Sequence, residues 1–185
     1  MMLKKLTYTA VLLSVYLVVS SFAKPEKKIN KIVSKVWKGS EYTLSKIEVP
    51  DSLKVDMGQL HKVIIDDNTV GYVCYTTAFG CKVGGCAAPT NPNVQSYETF
   101  DYIVVYDTSY SILKVDIAEY GGQYGYEICR AKWLQQFVGG RKGFELGGNI
   151  DGITGATVSA QFLIDDLNDV GGKIELCIDD SLAGK

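Results

Sequence analysis

The stretch VIIDDNTVGYVCY, residues 63–75, decides how the fold is read. Val63-Ile64-Ile65 and Val70 to Tyr75 are rich in β-branched and aromatic side chains, and the polar residues Asp66 to Thr69 between them supply a turn, so the segment reads as a β-hairpin. The pattern returns where Tyr102 to Tyr106 and Ile112 to Ile117 flank Asp107-Thr108-Ser109. Hairpins join antiparallel neighbours. Outside them the period changes. Ile29, Ile32, Val33 and Val36 fall at helical spacing with lysines between them, and Gly39 after Trp37 is a stop. Trp133, Leu134 and Phe137 share a helical face within Lys132 to Val138, ended by Gly139-Gly140. Ala160, Leu163, Ile164 and Leu167 form a stripe that predicts a helix from about Ala156 to Val170, terminated by Gly171-Gly172. Ile174, Leu176 and Ile178 then alternate with Lys173, Glu175 and Cys177, which predicts a last strand. No repeat or linker divides residues 24–185. The expected fold is a single α+β domain, an antiparallel β-sheet core with a few helices.

The chain has 185 residues, 46% hydrophobic and 22% charged, the balance of an ordinary globular protein. A formal net charge of -2 and a pI near 5.4 provide no basic field of the kind that holds nucleic acid.

Residues 1–23 differ from the rest. Lys4 and Lys5 precede the apolar run Ala10 to Val19, and Ser20-Ser21-Phe22-Ala23 follows, which is the layout of a signal peptide cleaved after Ala23. The expectation is an exported protein, periplasmic or on the outer face of the cytoplasmic membrane. The competing reading is an uncleaved anchor, because Leu6 to Ala23 is just long enough to span a bilayer.

Five cysteines in an exported chain leave one unpaired whatever the pairing. Cys74, Cys129 and Cys177 lie in or beside apolar segments and read as small core hydrophobes. Cys81 and Cys86 flank a glycine turn, CKVGGC, within a Gly-, Pro- and Asn-rich loop from Gly80 to about Asn93. They read as a small disulfide or as two free thiols. One histidine is too few for a zinc site with a single cysteine pair, and no companion motif makes a Ser-His or Cys-His hydrolase. His61, between Leu60 and Lys62, reads as a strand-edge surface residue.

The segment that carries chemistry is DGITGAT, Asp151 to Thr157. A helix entered here presents unpaired N–H groups and a partial positive charge, which favour a phosphate. Thr157 brings a hydroxyl to that first turn, and Gly155 and Ala156 leave it accessible. The competing reading is an ordinary cap in which Thr154 or Asp151 satisfies the backbone donors. Upstream, YGGQYGYEI has glycines that permit close backbone approach and a dense set of tyrosines.

DGITGATVS fits D-x-x-[S/T]-G-A-T, the target of FAD:protein FMN transferases, and resembles the modified site of the FMN-binding domain family. That family includes small exported bacterial proteins and flavin-bearing subunits of Rnf and Na+-translocating NADH:quinone reductase complexes. The likeness runs from roughly Gly71 to Asp166 and takes in GYV, CKVGGC, FDYIVVYD, GYEI, WLQQFVG and GGNIDGITGATVSA in order. It implies an FMN-binding domain fold and FMN held covalently, as a phosphoester on Thr157. Asp151, Thr154, Gly155 and Ala156 complete the transferase target, and Tyr124, Gly125 and Glu127 line the flavin ring. Tyr124 stands where members of the family often carry His. The resemblance also implies extracytoplasmic electron transfer with an unidentified redox partner, soluble or membrane-bound, and adds a third reading of Cys81 and Cys86, a redox pair near the flavin. Two other functions compete with it: a subunit of a membrane Rnf-like or quinone reductase complex, and a noncatalytic exported binding domain without flavin.

Overall fold

The computed structural model describes residues 25–53, 57–82 and 97–183. The expected signal peptide, Cys86 and most of the loop from Gly80 to Asn93 lie outside the described residues. Five strands, β1 (Thr43–Ile47), β2 (Gln59–Ile65), β3 (Asn68–Lys82), β4 (Tyr97–Tyr106) and β5 (Ile112–Tyr120), pair antiparallel in sequence order. Helix α1 covers residues 25–36, and α2 (Ala131–Leu134) and α3 (Thr157–Ala183) follow the sheet, with 3-10 turns at Tyr126–Cys129 and Gln135–Phe137. The chain is an α+β protein.

Both hairpins form where expected, with turns set by aspartates. Asp66 and Asp67 alone make the first, at φ 49° and 61°. That left-handed pair matches a two-residue connection to the twist of its strands, so Asn68 and Thr69 already belong to β3. In the second, Asp107 Oδ1 accepts from the Ser109 N–H at 2.8 Å, the Ser109 hydroxyl at 2.7 Å and the Ser111 N–H at 2.9 Å.

The sheet is covered on both faces. Along β4, Phe100, Tyr102, Val104 and Tyr106 join the cluster under α3, while Ile103 and Val105 join Ile29, Ile32 and Val33 of α1 on the other side. That explains the continuous apolar run in β4, since alternation is lost when neither face meets water. A buried polar link fastens α3 to the sheet: the Tyr102 hydroxyl donates to Asp166 Oδ2 at 2.6 Å. Burial first, and the neighbouring carboxylate next, push the Tyr102 hydroxyl well above its ordinary range and keep it a donor.

Three expectations are corrected. There is no last strand, because α3 continues through Gly171-Gly172 to Ala183. Its buried stripe runs on through Val170, Ile174, Cys177 and Ile178 at helical spacing, while Leu176 is 57% exposed. Gly171 does not end the helix; a Cβ there would lie 1.9 Å from the Arg141 carbonyl oxygen, so the glycine lets the preceding loop press against the helix. His61 is not at a surface edge, since β1 pairs outside β2 and His61 is 8% exposed on the face that β2 turns toward α1. Cys74 and Cys177 are buried as expected, but Cys129 is exposed at the end of its 3-10 turn. Among the described residues no helix is long and apolar enough to cross a membrane.

Candidate functional site

Helix α3 is entered through a tight turn. The Ala156 N–H donates to the Ile153 carbonyl at 3.2 Å, with Gly155 between them at φ 86°. The first helical bond runs from the Ala160 N–H to the Ala156 carbonyl at 2.8 Å. Ala156 is therefore the capping residue, and it has no side-chain acceptor to offer. Among the described residues, neither Thr154 nor Asp151 turns its side chain back to the first turn, which also contains no acid of its own. Among the described residues, the N–H groups of Thr157, Val158 and Ser159 remain open. Thr157 is exposed at the first helical position, between buried Ala156 and buried Ser159.

The loop ahead of the turn is fixed by its backbone. Trp133 Nε1 donates to the Asp151 carbonyl at 2.8 Å, and the Asp151 N–H donates to Gln136 Oε1 at 2.8 Å. The Asp151 side chain stays exposed. Upstream, Asn168 of α3 accepts from the N–H groups of Gly143 and Phe144 and donates to the Phe144 carbonyl, tying the loop to the same helix.

The YGGQYGYEI segment packs against this helix entry. Gly125, at φ 87°, has no room for a side chain, because a Cβ would lie 2.3 Å from Ser159 Oγ and 2.7 Å from the Tyr120 hydroxyl. The Tyr120 hydroxyl donates to the Tyr124 carbonyl and lies 3.0 Å from Ser159 Oγ. With its proton committed to Tyr124, it accepts from Ser159. Burial pushes the Tyr120 hydroxyl up, which preserves this donor. Two residues on, Glu127 reaches the turn itself, its Oε1 3.1 Å from where a Gly155 Cβ would stand. Glu127 Oε2 is buried and, among the described residues, accepts no hydrogen bond. Tyr124 and Tyr126 are 48% and 59% exposed and leave an aromatic surface open beside the entry.

All the described candidates therefore converge. Asp151, Thr154, Gly155, Ala156 and Thr157 form the helix entry, and Tyr124, Gly125 and Glu127 lie against it. Cys81 is buried at the far end of β3, 3.5 Å from Ser159 Oγ, and so borders the same first turn. Its pairing with Cys86 falls outside the described residues. Sequence reasoning missed Ser159, Tyr120, Trp133 and Gln136. A serine two residues after the motif and a tyrosine just before the glycines were visible, but their mutual contact depends on how α3 lies across the sheet. No family model matches the chain, and no curated protein matches it.

Proposed function

We propose that the chain is an exported flavoprotein that carries FMN as a phosphoester on Thr157 and transfers electrons outside the cytoplasm. The observation that carries the reading is exposed Thr157 at the first residue of a 27-residue helix whose leading N–H groups meet no capping side chain among the described residues. A phosphate esterified there would meet the open N–H groups of Thr157, Val158 and Ser159 and the positive end of the helix. The residues fit the flavin in a second respect. Glu127 Oε2 is a buried acceptor without a donor, and the flavin ring system and its ribityl chain both offer N–H or O–H groups.

FMN supplies one- and two-electron chemistry; the protein's residues hold and surround it. Thr157 fixes the phosphate end. Glu127, Gly125 and Tyr124 form the surface next to it, held in place by Tyr120 and Ser159. The fixed backbone and exposed carboxylate of Asp151 suit a residue that a FAD:protein FMN transferase reads on the folded chain. A covalent ester has a use in this location, because a lost FMN would not easily be replaced outside the cytoplasm.

The test is co-expression with a flavin transferase followed by a denaturing gel viewed for flavin fluorescence. A fluorescent band is expected for the native sequence, and none for Thr157→Val. Fluorescence that survives the substitution would overturn the attachment site, and a colourless native band would overturn the function.

A further inference from the structure

Charge is unevenly placed along the chain. Residues 24–38 contain six lysines and one acid, Glu26, whereas residues 39–185 contain eleven lysines and arginines against twenty acids. Asymmetry of this size points to a charged partner for the basic part. The helix that carries most of it, α1, buries Ile29, Ile32 and Val33 against the sheet and exposes Lys27, Lys31 and Lys35, and Lys38 is exposed just past its end. Lys27, Lys31 and Lys35 follow at intervals of four and stand in one row. Like charges at that spacing weaken a helix, so the row costs stability. Among the described residues none of these four lysines is in an ion pair. Lys28 is set apart from them, because it is bound to Glu119 of β5. Besides Glu26 and the Glu119 that binds Lys28, Asp116 lies beside the row, in a small groove with Lys28, Lys31 and Lys35.

We propose that this face of α1 rests on an anionic lipid surface. A row of exposed lysines on a helix whose opposite side is already buried offers charge but no apolar wedge, which suits headgroups rather than the bilayer interior. In the sequence the apolar run Ala10 to Val19 lies a few residues ahead of this helix, so the end of the chain that meets the membrane during the expected export is the end that carries the lysines. The acidic remainder is repelled by the same surface, and this sets the orientation. Helices α1 and α3 cover opposite faces of the sheet. Lipid under α1 therefore turns Thr157 away from the membrane, toward partners on the aqueous side.

Lysine acylation read by mass spectrometry tests this on the full chain, with or without flavin, so its outcome is independent of the Thr157 reading. The chain is labelled in buffer, with neutral phosphatidylcholine vesicles, and with vesicles containing phosphatidylglycerol. Labelling of Lys27, Lys31, Lys35 and Lys38 is expected to fall severalfold with the anionic vesicles only, and to recover in high salt. Lys132 and Lys142, exposed on the other side of the sheet, should label unchanged. Replacing Lys27, Lys31 and Lys35 with Gln, all at exposed positions, should lower affinity for the anionic vesicles about a hundredfold. Equal labelling in all three conditions, protection by neutral vesicles as well, or uniform protection of Lys132 and Lys142 would overturn the proposal.

Discussion

Burial holds the His61 imidazole below its ordinary value of about 6.5; Glu26 opposes the shift and Lys46 adds to it. The unfolded chain takes up this proton at the ordinary value while the folded chain resists until lower pH. Stability therefore falls as pH drops through the unfolded value and levels off below the folded one. His61→Phe should flatten that loss, seen as a smaller difference between urea midpoints at about pH 7.5 and about pH 5.5. An unchanged difference would show that His61 does not contribute. Asp107 behaves with the same slope for the opposite chemical reason. Burial alone would raise its carboxyl, but the hydrogen bonds from Ser109 and Ser111 outweigh it and hold the group below the usual carboxylate range. Its contribution is present above the unfolded carboxylate value and is lost as pH falls through the folded one. The two losses begin at different pH, one at the ordinary imidazole value and the other at the ordinary carboxylate value.

At the scale of elements, α3 bears most of the argument, and its paired glycines divide sharply. Gly171→Ala drives a methyl into the Arg141 carbonyl and should cost about 1–3 kcal/mol. Gly172→Ala meets nothing within 4 Å on an exposed helical face and should gain about 0.5–1 kcal/mol from helix propensity. Thermal or urea unfolding of the two single variants checks both signs. Equal effects would mean that the helix ends near Val170. The same pair explains what was legible in the sequence. Both hairpins could be read because β-branched runs and Asp-rich turns are local signals. The end of α3 could not, because a double glycine signals a stop unless the loop that packs on it is known. The site divides in the same way. DGITGAT and GYEI stood out by residue type, whereas their meeting rests on Gly125, Ser159 and Tyr120, residues separated by up to 39 positions. Buried His61 was unreadable for a related reason, as nothing near it announces that β1 will pair outside β2.

Across the whole molecule, the sheet separates the two proposed sites. One face carries α1 and its lysines; the other carries the entry of α3, the GYEI segment and Thr157. Under the two proposals, membrane contact and electron transfer fall on opposite sides, so a partner reaching Thr157 would not compete with lipid. The loop from Gly140 to Gly155 is tied to α3 by Asn168 and to the Trp133 turn at Asp151, which fixes the entry to Thr157.

The measurement that bears most directly on this account is mass mapping of the chain after exposure to FAD and a flavin transferase. The peptide containing DGITGAT should gain the mass of FMN less one water, with fragmentation placing it on Thr157. An unmodified peptide, or the same mass on Thr154 or on a residue outside the motif, would contradict it.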